Sequence, residues 1–168
     1  MNNRFMLTVA GAAATGFIGT ASAELVDFSH GMDYWAVEHS WQVFNSNGSS
    51  VAGMSGGSAS LNFGSSVSLN YWGNSMSYTF STGSTDDIFG TVTGSFDLAP
   101  GTYNVQMQDA SGNGWLWGSY QGFLAIGSGS GTVSTSAGSF SFTVGGIPAP
   151  GALALLGLAG VAGSRRRK

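Results

Sequence analysis

The stretch that begins at Asp109 contains the residue types best suited to chemistry in this chain. Oxygen-bearing side chains stand at Asp109, Ser111 and Asn113, and a glycine follows. Alternate oxygen ligands closed by a glycine are typical of the first half of a calcium-binding loop. An EF-hand would need a glutamate at loop position 12, where this chain has Tyr120, so that subtype is excluded. We expect weak calcium binding, in the millimolar range typical of extracellular modules.

The same stretch resembles the Asp-x-x-Gly-Asp-Gly-Trp turn found after a strand in some exported β-sandwich domains. Asn113 stands in place of one aspartate, which lowers the calcium affinity that the resemblance implies. The alternative is a structural loop in which Asp109 accepts hydrogen bonds from nearby backbone amides and Trp115 covers the edge of the core. The sequence supports both interpretations.

Aromatic residues concentrate in the same region, at Trp115, Trp117 and Tyr120. If their faces are exposed, they could stack on sugar rings, as in carbohydrate-binding modules. The competing interpretation is that these rings pack into the core. Exposure of this loop therefore distinguishes a binding module from a purely structural domain.

Five titratable residues crowd the other end of the domain: Asp27, His30, Asp33, Glu38 and His39. They could ligate a metal, but the neighbours Glu38 and His39 would point to opposite faces of one strand. We therefore expect solvated turn acids and one half-buried histidine.

The pair Asp86-Asp87 lies among Ser and Thr residues, where aspartate is an ordinary turn former. A hydrolase would need two carboxylates, or a carboxylate and a histidine, to converge in a pocket. We predict no catalytic residues and a protein that is not an enzyme.

Residues 24–146 have the pattern of an all-β domain. Short runs with alternating apolar residues are separated by Gly, Ser and Asn, and helical spacing is absent. We predict one antiparallel β-sandwich or jelly-roll-like domain of about eight strands. Trp35–Phe44 is predicted as a strand and Ser49–Ser58 as a loop. Pro100-Gly101 predicts a type II turn that pairs Thr91–Leu98 with Thr102–Gln108 as a hairpin.

Charge is distributed very unevenly along the chain. Lys and Arg total five, and they stand at Arg4 and at positions 165–168. The eight acidic residues lie between Glu24 and Asp109, so the intervening domain has a formal charge of −8. Nucleic acid is excluded as a partner, because this domain has no Lys or Arg side chain to neutralise the phosphates. The absence of cysteine excludes disulfides and thiolate chemistry.

The first 23 residues have the pattern of a signal peptide. Arg4 is followed by an apolar run and then by Ala21-Ser22-Ala23, a small-x-small cleavage site. Cleavage by signal peptidase would leave Glu24 as the first residue. The chain is therefore predicted to be exported.

Residues 147–168 have the order of parts of a membrane-sorting tail. Pro148-Ala149-Pro150 is extended, the apolar run that follows is about 13 residues long, and Arg165-Arg166-Arg167-Lys168 ends the chain. A full helical span needs roughly 20 residues, so the run is a marginal transmembrane helix. The basic end would stay on the cytoplasmic side.

This tail resembles the PEP-CTERM signal that exosortase-type membrane peptidases recognise on exported bacterial proteins. Pro148, Pro150, the apolar run and the terminal basic cluster carry the resemblance, and Ala149 replaces the Glu of the named motif. It implies an inner-membrane-anchored intermediate that is cleaved and released to the cell surface or extracellular matrix. One alternative is a plain membrane anchor. Another is the Gly-Gly type of sorting signal cut by rhomboid-like peptidases, because Gly145-Gly146 precedes the segment.

Three functions are compatible with these features. The first is a non-enzymatic surface or matrix protein associated with exopolysaccharide. The second is a small carbohydrate- or calcium-binding module. The third, a hydrolase, lacks a recognisable set of catalytic groups.

Overall fold

The structure is a computed structural model that describes residues 22–56 and 69–145. Within these ranges one short 3₁₀ helix, Ala36–Glu38, joins the first two of twelve strands. The strands are β1 (Glu24–Asp33), β2 (His39–Phe44), β3 (Ser50–Ser55), β4 (Asn70–Gly73), β5 (Ser77–Thr82), β6 (Ile88–Leu98), β7 (Gly101–Asp109), β8 (Leu116–Trp117), β9 (Tyr120–Gln121), β10 (Phe123–Ile126), β11 (Gly129–Gly131) and β12 (Ala137–Val144).

The strands form two five-stranded sheets and a small hairpin. The first sheet has the order β11-β10-β1-β6-β5, the second has the order β12-β7-β2-β3-β4, and β8 pairs with β9. Neighbouring strands run antiparallel. The all-β prediction is therefore confirmed, and the antiparallel sheets are consistent with the predicted sandwich. The described residues contain twelve strands rather than about eight. The sequence pattern does not predict β1, β3, β8 and β11 as strands, and it predicts β9 and β10 as one strand.

Side chains from both sheets share one buried apolar cluster. Strand β7 shows the pattern most clearly, because Tyr103, Val105 and Met107 are buried and the residues between them are exposed. Across the sheets, Phe28 of β1 contacts Trp41 of β2 with ring centroids 5.7 Å apart. Period-two alternation favours strands here, because an extended backbone places every second side chain on the same face.

The connection between β6 and β7 crosses from one sheet to the other. The predicted hairpin of Thr91–Leu98 with Thr102–Gln108 is therefore wrong. A type II turn would need a positive φ at Gly101, but this residue begins β7 without one. The Tyr103 hydroxyl donates to the Ala99 carbonyl at 2.7 Å and holds the corner. A tyrosine bonded back to the preceding corner is a known feature of β-sandwiches.

Part of the predicted loop at Ser49–Ser58 is a strand. β3 pairs with both β2 and β4, and its residues Ala52 and Met54 are buried. Gly53 lies between them, where a Cβ would come within 2.8 Å of the Trp72 ring. Glycine here permits close approach of a neighbouring side chain, although in sequence it resembles a loop residue.

Other strand limits also differ from the predictions. The strand predicted over Trp35–Phe44 begins only at His39, because the 3₁₀ helix precedes it. The strand predicted over Tyr120–Ile126 is divided into β9 and β10. The Gly- and Ser-rich segment after β10 contains β11 and is anchored by the buried Val133.

We predict that Tyr103→Phe lowers the free energy of unfolding by about 1 kcal/mol, because the Ala99 carbonyl loses its donor at the corner. Urea unfolding should show a lower midpoint with an unchanged slope.

The matched control is Tyr78→Phe, which removes a hydroxyl from an exposed tyrosine. Its effect should stay within about 0.5 kcal/mol. Equal losses in the two variants would contradict the role given to the corner.

Candidate functional site

Four polar side chains form a continuous hydrogen-bonded row through the core, here called the buried polar row. The Tyr71 hydroxyl lies 2.9 Å from His30 Nδ1, and His30 Nε2 lies 3.1 Å from His39 Nδ1. His39 Nε2 lies 3.1 Å from Asp33 Oδ1. Both histidines and Asp33 are almost fully buried, and Tyr71 is half-buried.

The row alternates between the two sheets. His30 and Asp33 belong to β1 in the first sheet, while His39 of β2 and Tyr71 of β4 belong to the second. Each hydrogen bond of the row therefore crosses the interface between the sheets. This arrangement ties the sheets together in a domain that has no cysteine.

Protons in the row can be assigned from its carboxylate end. An ionised Asp33 only accepts, so His39 Nε2 donates to it, and a neutral His39 then accepts at Nδ1 from His30 Nε2–H. His30 Nδ1 is left to accept from the Tyr71 hydroxyl. In this arrangement every donor in the row has an acceptor.

Burial determines the protonation of two members of the row, His30 and Tyr71. Burial, followed by the nearby His39, lowers the pKa of His30 well below its ordinary value. Burial, followed by Tyr78, raises the pKa of Tyr71. His30 is therefore neutral and Tyr71 protonated near neutral pH, in agreement with the assignment.

The ring of Trp115 seals one side of the row. It stacks on His39 with centroids 4.2 Å apart and an interplanar angle of 6°, and its Nε1 donates to the Gln108 carbonyl at 3.1 Å. A side chain at Gly122 would come within 3.0 Å of the His39 ring and of the Trp115 Cβ. Trp115 is 0 % exposed, so its predicted role in sugar stacking is wrong.

The burial of the row corrects the prediction of solvated acids and one half-buried histidine. Asp33, His30 and His39 are all interior groups. The two histidines contact each other although they are nine residues apart in sequence. The alternation of β1 indicates an inward-facing His30, but no local pattern shows that β2 places His39 opposite it. A His–Asp pair this deeply buried has no surface on which to contact a substrate.

The loop after β7 brings four side-chain oxygens together. Ser111 Oγ lies 2.6 Å from Glu38 Oε2, 2.6 Å from Asn113 Oδ1 and 3.0 Å from Asp109 Oδ1. Asp109 Oδ1 also accepts from the backbone amides of Ser111 and Gly112, which confirms the capping predicted by the structural interpretation. The loop therefore unites the three predicted ligands.

Glu38 is the member of this group that sequence reasoning missed. It is 73 residues from Ser111 in sequence, and the pairing of β2 with β7 brings them together. Across residues 22–56 and 69–145, no group of three or more His, Asp or Glu residues is arranged to hold a metal ion. Any cation at this loop would depend on Ser111 and Asn113 as well as on two carboxylates.

An aromatic cluster lies where the end of β1 meets the β8–β9 hairpin. Trp117 stacks on Tyr34 with centroids 5.6 Å apart and an interplanar angle of 26°. Trp35 stands nearly perpendicular to both rings, at 5.0 Å from Tyr34 and 5.6 Å from Trp117. Trp117 is 40 % exposed. The hydroxyl of Tyr120 instead lies against Gly31 of β1.

In the acidic pair Asp86-Asp87, Asp87 has a structural role. Asp87 Oδ2 accepts from the backbone amide and the hydroxyl of Ser119, at 3.1 and 3.3 Å, and so caps the β8–β9 turn.

The spacing Gly53-x-Ser55-x-Gly57 matches the nucleophile-elbow pattern, and Gly57 lies outside the described residues. Ser55 itself ends β3, paired with β2 and β4, rather than occupying a sharp strand-to-helix turn.

The predicted sorting tail and most of the signal peptide lie outside the described residues. This applies to Ala21, to Pro148–Pro150, to the apolar run and to Arg165–Lys168. Of the predicted cleavage site, Ala23 directly precedes Glu24, the first residue of β1. Among the described residues, no helix has the length and apolar character needed to cross a membrane.

Comparison with known proteins gives no relative from which a function could be transferred. No family model matches the chain, and neither the curated proteins nor the solved structures contain a significant match.

We predict that the free energy of unfolding falls as the pH is lowered from 7 to 5. In the unfolded chain His30 takes up a proton near its ordinary pKa of about 6.5, while in the folded protein its lowered pKa keeps it neutral. The unfolded state therefore binds more protons, and acid favours it by up to about 1.4 kcal/mol per pH unit for one such group. Urea unfolding at several pH values measures this slope.

His30→Gln removes the titrating group and should flatten the slope over the same pH range, whatever its effect on absolute stability. An unchanged slope in this variant would rule out His30 as the source.

Proposed function

We propose that this protein is exported, trimmed at its C-terminus by an exosortase-type membrane peptidase, and retained at the cell surface or in the extracellular matrix. There it would associate with exopolysaccharide without acting as an enzyme. The observation that carries this proposal is the tail itself, in which Pro148-Ala149-Pro150, an apolar run and Arg165–Lys168 follow one another. Before cleavage, the short apolar helix would anchor the protein in the inner membrane.

The position of the folded region supports this proposal. β1 begins at Glu24, the residue that signal peptidase would leave first, and β12 ends at Val144, shortly before Pro148. Removal of both signals would therefore leave the strands intact. We further propose that residues 24–146 form a single β-sandwich domain, with the transmembrane helix belonging only to the tail.

The absence of cationic side chains between the signals also supports it. All five Lys and Arg residues stand at Arg4 or in the tail, so the domain released by processing would have only acidic residues among its charged side chains, with histidine counted as neutral. Such a surface stays hydrated and self-repelling, which suits a hydrated matrix and disfavours nucleic acid or anionic lipid as partners.

We predict that the released protein begins at Glu24 and lacks everything beyond about Pro150. Replacing Arg165, Arg166 and Arg167 with Ser should stop C-terminal processing, because the basic cluster fixes the tail in the membrane. Intact-mass spectrometry of the envelope-associated and released protein measures both ends.

The conservative triple replacement of the same residues with Lys keeps the charge and should still be processed. An intact Lys168 terminus on the wild-type surface protein would identify a plain membrane anchor and overturn the sorting proposal.

A second candidate function is weak calcium binding by the loop after β7. The favouring observation is that Ser111 Oγ has three oxygen neighbours, although a hydroxyl has one proton and can donate to only one. Even if the Asn113 amide presents its nitrogen, the Glu38 and Asp109 carboxylates still compete for that proton. A cation between these oxygens would relieve the competition, and calcium prefers oxygen ligands of this kind.

We predict that 10 mM CaCl₂ raises the Tm of the wild-type protein by several degrees. For a dissociation constant of about 1 mM, binding to the folded state alone stabilises it by about 1.4 kcal/mol. Asp109→Asn and Glu38→Gln should each reduce the shift, because each removes a ligand charge. Differential scanning calorimetry gives the measurement.

The control variant is Asp27→Asn, which neutralises an exposed carboxylate on β1. Its calcium shift should equal that of the wild type. An equal shift in all variants would mean general screening of the acidic surface rather than a site.

A further inference from the structure

We propose that the aromatic cluster of Tyr34, Trp35 and Trp117 is a stacking site for a neutral polysaccharide chain. This inference rests on the proposed function, because it names the surface and the class of exopolysaccharide through which the protein would be held in the matrix. It replaces the set predicted from sequence, in which Trp115 proves to be part of the core.

The cluster has one exposed ring, Trp117, which is supported by two half-buried rings, Tyr34 and Trp35. Tyr34 and Trp117 lie at 26° to one another, and Trp35 stands across both at close to a right angle. Centroid separations of 5.0 to 5.6 Å mean that the rings contact each other, so no gap is left for a small cation between them. Trp117 keeps 40 % of its surface exposed, and an indole ring has the flat apolar faces against which the C–H side of a sugar ring packs.

Polar groups below the cluster hold it in place. Asp33, at the end of the buried polar row, accepts from the Trp35 backbone amide at 2.9 Å through the same oxygen that contacts His39. On the other side, Asp87 caps the turn that follows Trp117 by accepting from Ser119. Both segments are therefore ordered before any ligand arrives, and this lowers the entropic cost of binding.

Charge selects the kind of polysaccharide. The domain has no Lys or Arg between its two signals, and an acidic chain would meet only carboxylates there. Asp87 lies directly against Gly118, the residue after Trp117, so a carboxylate borders the cluster itself. Carboxylates accept hydrogen bonds from sugar hydroxyls but repel uronate or sulfate groups. The cluster therefore fits a neutral glycan rather than an acidic one.

The test is affinity electrophoresis of the full-length chain, purified in detergent, through native gels containing a soluble polysaccharide. Hydroxyethyl cellulose, dextran and pullulan serve as neutral probes, and alginate serves as the acidic probe. We expect retardation in at least one neutral gel and none in alginate. Trp117→Ala should weaken binding at least about tenfold, because a central aromatic contact carries much of the energy of such a site.

The matched control is Leu116→Ala, at the adjacent exposed residue of the same two-residue strand. Trp72→Ala, at an exposed tryptophan of β4, controls for the loss of any surface indole. Both should bind like the wild type. Retardation that survives Trp117→Ala, that is lost equally in the controls, or that occurs only in alginate would overturn the inference.

The outcome is separable from that of the proposed function. The electrophoresis uses the unprocessed chain and does not depend on sorting. A protein that is trimmed and recovered from the matrix, but binds no neutral polysaccharide, would keep the proposed function and refute the stacking site. A protein that binds through Trp117 but keeps Lys168 at the surface would support the stacking site and refute the sorting proposal.

Discussion

The hydrogen-bonded row from Tyr71 through His30 and His39 to Asp33 is the constraint on which the rest of the structure depends. Polar groups this deeply buried are costly unless each finds a partner, and a partly satisfied row would be worse than an apolar core. The register between the sheets must therefore place these side chains opposite one another. Apolar packing tolerates small slips, whereas this row fits one arrangement of the two sheets.

The same row connects the core with the surface. One carboxylate oxygen of Asp33 accepts both from His39 and from the Trp35 backbone amide, and Trp35 belongs to the aromatic cluster. Trp115 covers His39 within the core, and Trp117, two residues later, stands at the surface. The two tryptophans of one short motif thus have opposite roles.

The sequence predicted those features of the fold and site that depend on local pattern. The β class follows from alternation such as that of β7, and the capping role of Asp109 follows from its glycine-rich context. Contacts between segments distant in sequence were not predictable. Glu38 joins the loop of Ser111, and Tyr34 meets Trp117, through contacts between segments far apart in the chain. The hairpin predicted from Pro100-Gly101 was wrong because the same dipeptide suits both a hairpin turn and a corner between sheets.

The central position of β1 has a consequence for how the chain acquires its structure. This first strand is paired on one side with β6 and on the other with β10, where Phe28 lies opposite Ile126. A chain that emerges from its N-terminus therefore cannot complete the middle of its first sheet until most of its length is present. Such non-local pairing slows folding and leaves strand edges open in the meantime. Charge repulsion among the acidic residues would help to keep those open edges from joining other copies during that interval.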